Sequence, residues 1–453
     1  MMVKKMQINK GILHMSGLLL ISAVLSILSL NLGRFSMPLF YVTFTLAIVS
    51  MFTYYYFKRK RNYLDFDTIF ITISYIICFF STFFYNQSYY WALFLGFKFN
   101  VQYINYASIV ALIGFQAYFI GSLSVKKEVG HERLPLKVVD TKLLYVGIIL
   151  CMVLFVFLGG LNYYRDIYAD TGESSNPFVT HILLFIGIAS IVLVATEFYN
   201  AIIQGKRYPN KLFFLAISGF CVVLMVVGNR TTASQILLPI IVMYAMFYLN
   251  IGVKKFGVFI VLGIISMWLF QNIRSNRSIE MQSQNAAMVL LDLTIPSRAN
   301  YMAVEYVNGN GYTLGENMLG GIVGIIPFLA SSLNLDVAKM SSAELLTKET
   351  HESLHIPEDA RVGLGTTTIA DCYLSFGIMG VACLMGLLGW VVGKLEWRVL
   401  NLDYYYIVIY LAFVANSVFM ARASFTQPVR HVVLCFIVAF IIRGIPRLLK
   451  YKR

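Results

Sequence analysis

Apolar runs long enough, or nearly long enough, to cross roughly 30 Å of hydrocarbon follow one another along the chain, separated by short polar loops. In a bilayer each backbone N–H and C=O must be satisfied without water, so such runs fold as helices. No soluble core of 453 residues needs 58% hydrophobic sequence with only 13% charge, and the mean hydropathy is +0.72. The reading is an all-α polytopic membrane protein. The net charge of +14 does not point to nucleic acid, because the basic residues sit in short loops between runs and form no continuous patch. The six cysteines (Cys78, Cys151, Cys221, Cys372, Cys383, Cys435) all fall inside apolar runs without paired ligand spacing, which disfavours metal and disulfide roles.

The runs are 11–31, 38–57, 66–86, 105–124, 143–162, 179–198, 212–228, 234–250, 257–272, 367–393, 404–421 and 428–446, which predicts about twelve transmembrane helices. Basic clusters stand at alternate exits: Lys58-Arg59-Lys60-Arg61, Lys126-Lys127, Lys206-Arg207, Lys254-Lys255 and the terminal RLLKYKR. By the positive-inside rule both termini lie inside. Residues 11–31 exceed signal-peptide length and lack a clear cleavage site, so they read as an uncleaved first span. Residues 1–272 carry spans one to nine, 273–366 form a large outer segment, and 367–453 carry spans ten to twelve and a cytoplasmic tail. In the outer segment, 285–307 alternates near helical spacing with a break at Pro296-Ser297, predicting two short amphipathic helices that roof a cavity. The apolar stretch 318–330, short and containing Pro327, reads as an interfacial or re-entrant helix; a spanning role would reverse the topology after it. A segment of this length reads as a functional lid, with a plain solvated loop as the alternative.

Within that topology the arginines are misplaced. The outer face carries Lys98, Lys339 and Lys348, against Arg34, Arg165, Arg230, Arg274, Arg277, Arg298, Arg361, Arg422 and Arg430. Lysine follows the rule and arginine does not. Guanidinium binds phosphate bidentately and stays charged in low dielectric, so an outer cluster of it points to a lipid-linked phosphate ligand. The bland reading for each is a side chain that reaches lipid phosphates from a helix end. A scaffold protein would leave the asymmetry unexplained.

Three segments sharpen this into a resemblance. They are Gly228-Asn229-Arg230 followed by TTASQILLPIIVMY, RANYMAVEYVNG, and TTTIADCYLSFGIMG leading into the tenth run. With them goes the spacing from Arg298 to Gly309. Over essentially its whole length the chain resembles the Wzy-type O-antigen polymerases, or oligosaccharide repeat unit polymerases. The resemblance implies a GT-C-like fold and glycosyl transfer between undecaprenyl-pyrophosphate-linked repeat units on the outer (periplasmic) face of the cytoplasmic membrane. Lipid pyrophosphate is then the leaving group. It also implies no cofactor or metal, membrane lipid and a lipid-linked oligosaccharide as ligands, a chain-length regulator as partner, and no nucleic acid.

Guanidinium groups would neutralise charge growing on the departing pyrophosphate. Arg230 heads the candidates, followed by Arg298 and Arg422, with Arg430 and Arg277 behind them. A carboxylate or histidine would orient or deprotonate the acceptor hydroxyl: Asp371, Glu305, Asp292, His355 or His431. Asp371 lies just inside an apolar run, where an ionisable group is costly without a site or partner; a carboxylate favoured by its helix N-terminus is the alternative. Glu305 follows Arg298 by seven residues, so both can face one cavity or form an ordinary ion pair. The outer aromatics Tyr89, Tyr90, Trp91, Tyr163 and Tyr164 read as an interfacial belt before a sugar platform. A ligase shares the donor chemistry and differs in acceptor. A lipid-linked oligosaccharide flippase would show two related halves, and the sequence has no internal repeat.

Overall fold

The computed structural model describes residues 2–85, 100–126, 137–168, 177–275, 293–325, 341–354 and 365–450, and among them every regular element is helical. In chain order these are α1 (Met2–Leu32), α2 (Met37–Lys58) and α3, which begins as Phe66–Tyr75, widens into a π turn at Ile76–Phe80 and tightens to 3-10 at Ser81–Phe84. Then come α4 (Tyr103–Leu123), α5 (Lys142–Phe157), α6 (Gly160–Tyr168), α7 (Pro177–Ile203) and α8 (Lys211–Val227). The helix α9 (Arg230–Tyr244) is extended by a π turn, and α10 (Val253–Ser275) follows it. Three helices of the long segment are α11 (Ser297–Asn310), α12 (Glu316–Val323) and α13 (Ser342–Leu354); α14 (Thr368–Leu400), α15 (Tyr404–Met420) and α16 (Gln427–Lys450) complete the bundle.

The apolar runs read from the sequence lie in helices, except that 143–162 is divided between α5 and α6 by a turn at Gly159 (φ 72°). Among the described residues eight helices are long and apolar enough to cross a membrane: α1, α2, α3, α4, α7, α9, α14 and α16. Shorter apolar helices occupy Lys142–Phe157, Phe214–Val227 and Tyr404–Met420. Large apolar side chains remain exposed on the outer helices, such as Leu13, Leu20, Val146 and Leu215. That is the arrangement hydrocarbon solvent favours. The chain is a multi-pass membrane protein.

The centre of the bundle is α4, almost wholly buried, and its closest neighbour is α14. Lipid removes most of the hydrophobic drive between helices, so close backbone approach has to supply the attraction. Glycines make it possible. A Cβ on Gly389 would stand 2.0 Å from the Tyr118 carbonyl oxygen, and one on Gly121 would stand 1.9 Å from that of Gly386. The lower part of α14 is therefore seated on α4 at backbone distance.

Its upper part is not continuous with the lower. Phe376 (φ −146°, ψ 19°) and Gly377 (φ 64°, ψ −154°) leave helical geometry, and only glycine adopts the second conformation without strain. The loop between α11 and α12 enters the break: Thr313 N donates to Leu374 O at 2.9 Å, and Tyr312 lies against Gly377. Non-helical backbone at this depth is tolerated because protein covers it.

The long segment differs from expectation in one respect. Its second amphipathic helix appears as α11 after Pro296, but residues 297–304 are all buried. It packs on α3, α4 and α14 instead of lying flat on a surface. Ser297 Oγ meets Ser81 Oγ at 3.3 Å, and Tyr301 OH meets Thr82 Oγ1 at 3.4 Å. Of the apolar stretch 318–330, residues 318–325 are described, as the end of α12 and a following turn; the expected first amphipathic helix falls almost wholly outside the described residues.

Candidate active site

Three consecutive threonines start α14, and each hydroxyl joins a different element. Thr367 is the N-cap: its Oγ1 accepts from Ala370 N at 3.0 Å and donates to Asn300 Oδ1 of α11. Thr366 Oγ1 accepts from Ser342 Oγ of α13 at 3.1 Å. Thr368 Oγ1 donates to the Met420 carbonyl at the end of α15. This N-terminus, with its partial positive charge, is thus the point where α11, α13 and α15 meet.

One turn further in, Asp371 is fully buried. Its Oδ1 accepts from Asn317 Nδ2 of α12 at 2.6 Å and its Oδ2 from Phe425 N at 2.8 Å. The carboxylate holds α12 and the 421–426 turn against α14. Sequence reasoning singled out Asp371 and missed its clamp. The Thr366-Thr367-Thr368 run is a readable N-cap signal, whereas nothing around Asn317 marks it.

Arg298 sits in the first turn of α11, 2% exposed, with Nε donating to Ile295 O at 3.3 Å. Burial lowers its pKa to about 10, which leaves the guanidinium a cation at neutral pH. Arg230 is the first residue of α9. Gly228 turns the chain with φ 110°, and Asn229 caps the helix by accepting from Thr232 N at 3.1 Å. Arg422 is exposed on the turn after α15, with its N donating to Phe419 O at 2.9 Å. Arg430 and His431 occupy the first turn of α16; Arg430 Nε is buried without a hydrogen-bond partner among the described residues, and His431 is buried.

Contacts along the helices place these arginines at one end. Phe198 of α7 stacks edge-on against Tyr244 near the end of α9, and Tyr199 packs on Tyr404 at the start of α15. Thus α9 and α15 run antiparallel, and Gln235 Nε2 donating to Asn416 Oδ1 at 3.0 Å fixes their register. Arg230 precedes Gln235 by about 7.5 Å of helix, and Arg422 lies beyond Asn416 in the same direction. The Thr368–Met420 bond joins that level to the start of α14, and Asn300–Thr367 joins Arg298 to it. Thr426 Oγ1 donates to Met318 O at 3.4 Å, bringing in the start of α16 and Arg430. At the other end of α14, Lys58 pairs with Glu396, 25 residues along the chain from Asp371 and about 29 Å of helix below the break at Gly377.

Glu305 stands apart. It is half-buried, about 10 Å along α11 from Arg298, and its Oε2 accepts from Asn100 N at 3.3 Å. Arg277, Asp292 and His355 lie outside the described residues, as do Tyr89, Tyr90 and Trp91. Among the described residues no three His, Cys, Asp or Glu side chains group as a metal site.

The family described as O-antigen polysaccharide polymerase Wzy matches residues 13–452. The chain belongs to that family. No curated protein and no solved structure matches it. Membership makes this Wzy chain a polymerising glycosyltransferase of surface-polysaccharide biosynthesis, acting on lipid-linked oligosaccharide repeat units in a membrane. Its match runs through both the arginine-bearing end and the lysine-bearing end of the bundle.

Proposed function

We propose that the arginine-bearing end faces the periplasm and transfers a growing glycan from its undecaprenyl pyrophosphate to the acceptor sugar of an incoming repeat unit. The observation that carries the reading is that Arg230, Arg298 and Arg422 stand at the same end of the bundle as the capped N-terminus of α14. Breaking an anomeric C–O bond releases a pyrophosphate whose charge grows in the transition state. Fixed guanidinium groups and helix N–H dipoles lower that barrier without reorganising. In this assignment Arg298 is the water-poor cation, Arg230 and Arg422 flank the diphosphate, and Arg430, His431 and Arg277 contact carrier or glycan. Asp371 positions the two segments it binds. Glu305 orients the acceptor hydroxyl. The reaction so described uses no metal.

Twelve spans, both termini in the cytoplasm and a GT-C-like arrangement complete the proposal, with a chain-length regulator as partner. Support for the topology comes from the lysines of one end and the arginines of the other. The test is the surface glycan of a deletion strain complemented with Arg230→Ala. Single repeat units on the surface, at unchanged membrane abundance, support polymerisation. Loss of all surface units would mean a flippase, and polymer retained on its carrier would mean a ligase.

A further inference from the structure

A cavity of about 460 Å³ opens at the lysine-bearing end between the ends of α2, α4, α14 and the π turn after α9. That volume lies within the roughly 300–1,000 Å³ of small-molecule sites. Nothing in the proposed polymerisation uses it. Its walls combine Leu123, Val125, Met246, Trp397 and Leu400 with six charged residues.

The charges are layered. Deepest are Asp65 and Asp67, both buried. Lys58 Nζ pairs with Asp67, whose carboxylate also accepts from Tyr54 OH at 2.5 Å and from Tyr118 OH. Lys60 Nζ stands 2.7 Å from Asp65 Oδ2, off hydrogen-bond alignment. Each lysine thus matches one aspartate, and Glu396 is the remaining acid. It shares Lys58 with Asp67, at 2.7 Å, and its side chain is 21% exposed. The floor therefore carries one surplus negative charge. The rim carries the reverse: Arg59, in left-handed conformation (φ 53°) as the C-cap of α2, and Arg61, both exposed.

A ligand that fits has a positive leading group, a negative group a few ångströms behind it, and an apolar remainder at the bilayer surface. We propose that this cavity binds the headgroup of an ethanolamine phospholipid, its ammonium against Glu396 and its phosphate between Arg59 and Arg61. A primary ammonium donates hydrogen bonds to Glu396, and a trimethylated one does not. An anionic lipid lacks the leading cation and meets the floor's negative charge. The proposal rests on the membrane-spanning reading and is independent of the polymerase reading, since its test involves no glycan.

The experiment is native mass spectrometry of the purified full-length protein, delipidated and titrated with phosphatidylethanolamine, phosphatidylcholine or phosphatidylglycerol of identical acyl chains. Phosphatidylethanolamine is retained about tenfold better than either competitor, and Glu396→Gln abolishes its advantage over phosphatidylcholine. Arg59→Gln with Arg61→Gln weakens its retention about thirtyfold, near fivefold for each surface charge removed. Arg61→Gln alone, an exposed change that spares the buried pairs, loses about fivefold at an unaltered melting temperature. Equal retention of phosphatidylglycerol, or an ethanolamine preference that survives Glu396→Gln, overturns the proposal. So does displacement of the lipid by millimolar soluble phosphoethanolamine, which would make the occupant a free metabolite.

Discussion

Asn317 donates from Nδ2 to Asp371 Oδ1 at 2.6 Å, so a side chain in α12 holds the first turn of α14. The same amide reaches the Asp371 carbonyl at 3.1 Å. Replacing Asn317 with Ala removes one donor from a buried carboxylate, which costs about 1–3 kcal/mol. The expected outcome is a lowered melting temperature in detergent. Combining it with Asp371→Asn costs less than the two single changes together, because both remove one interaction. Additive losses would show that the two residues act separately.

Arg298→Ala should reduce polymerisation about 10²–10³-fold, the loss typical of removing one fixed donor from a charge-stabilising site. Arg298→Lys keeps charge and loses the planar fork, so it should restore only part of that activity. The length distribution of surface glycan, normalised to membrane abundance, measures both. Full activity in Arg298→Lys would assign the residue a general electrostatic role and remove bidentate contact from the mechanism.

Arg422 is exposed on a turn whose backbone bonds its side chain does not make. Arg422→Ala is therefore expected to leave the melting temperature within about 0.5 kcal/mol of wild type while shortening the glycan. Unchanged chain length would place Arg422 outside the site.

Gly389→Ala forces a methyl into the Tyr118 carbonyl, 2.0 Å from the new Cβ. The helices must part, at about 1–3 kcal/mol, and membrane abundance should fall. Gly147→Ala in α5, where nothing lies within 4 Å of the new Cβ, serves as the control and should be neutral or slightly stabilising. Equal behaviour of the two would refute the close α4–α14 seam.

The helices were legible because lipid leaves a chain little choice: an apolar run of helix length is its own signal, and of the runs here only 143–162 is divided between two helices. Arg230 was legible as well, since Gly228 and Asn229 spell a helix end followed by a cap. The break in α14 was not. Gly377 sits in a run rich in glycine, and only the arrival of Thr313 at Leu374 distinguishes it from the seam glycines. The burial of α11 was hidden too, because its amphipathic pattern fits a membrane surface and a polar-lined groove equally well. Asn317, Asn300 and the threonine hydroxyls acquire meaning only from partners distant in sequence. The buried acids Asp65 and Asp67 pair with the neighbouring Lys60 and Lys58, and only the bond from Tyr118 to Asp67 comes from a distant part of the chain.

The interruption at Phe376–Gly377 divides one long rod into two parts with separate attachments. Below it, glycine contacts bolt the rod to α4; above it, eight residues are tethered by threonines, Asp371 and an inserted loop. That short upper piece is the joint through which α11, α12 and the arginine-bearing turn hold one common position.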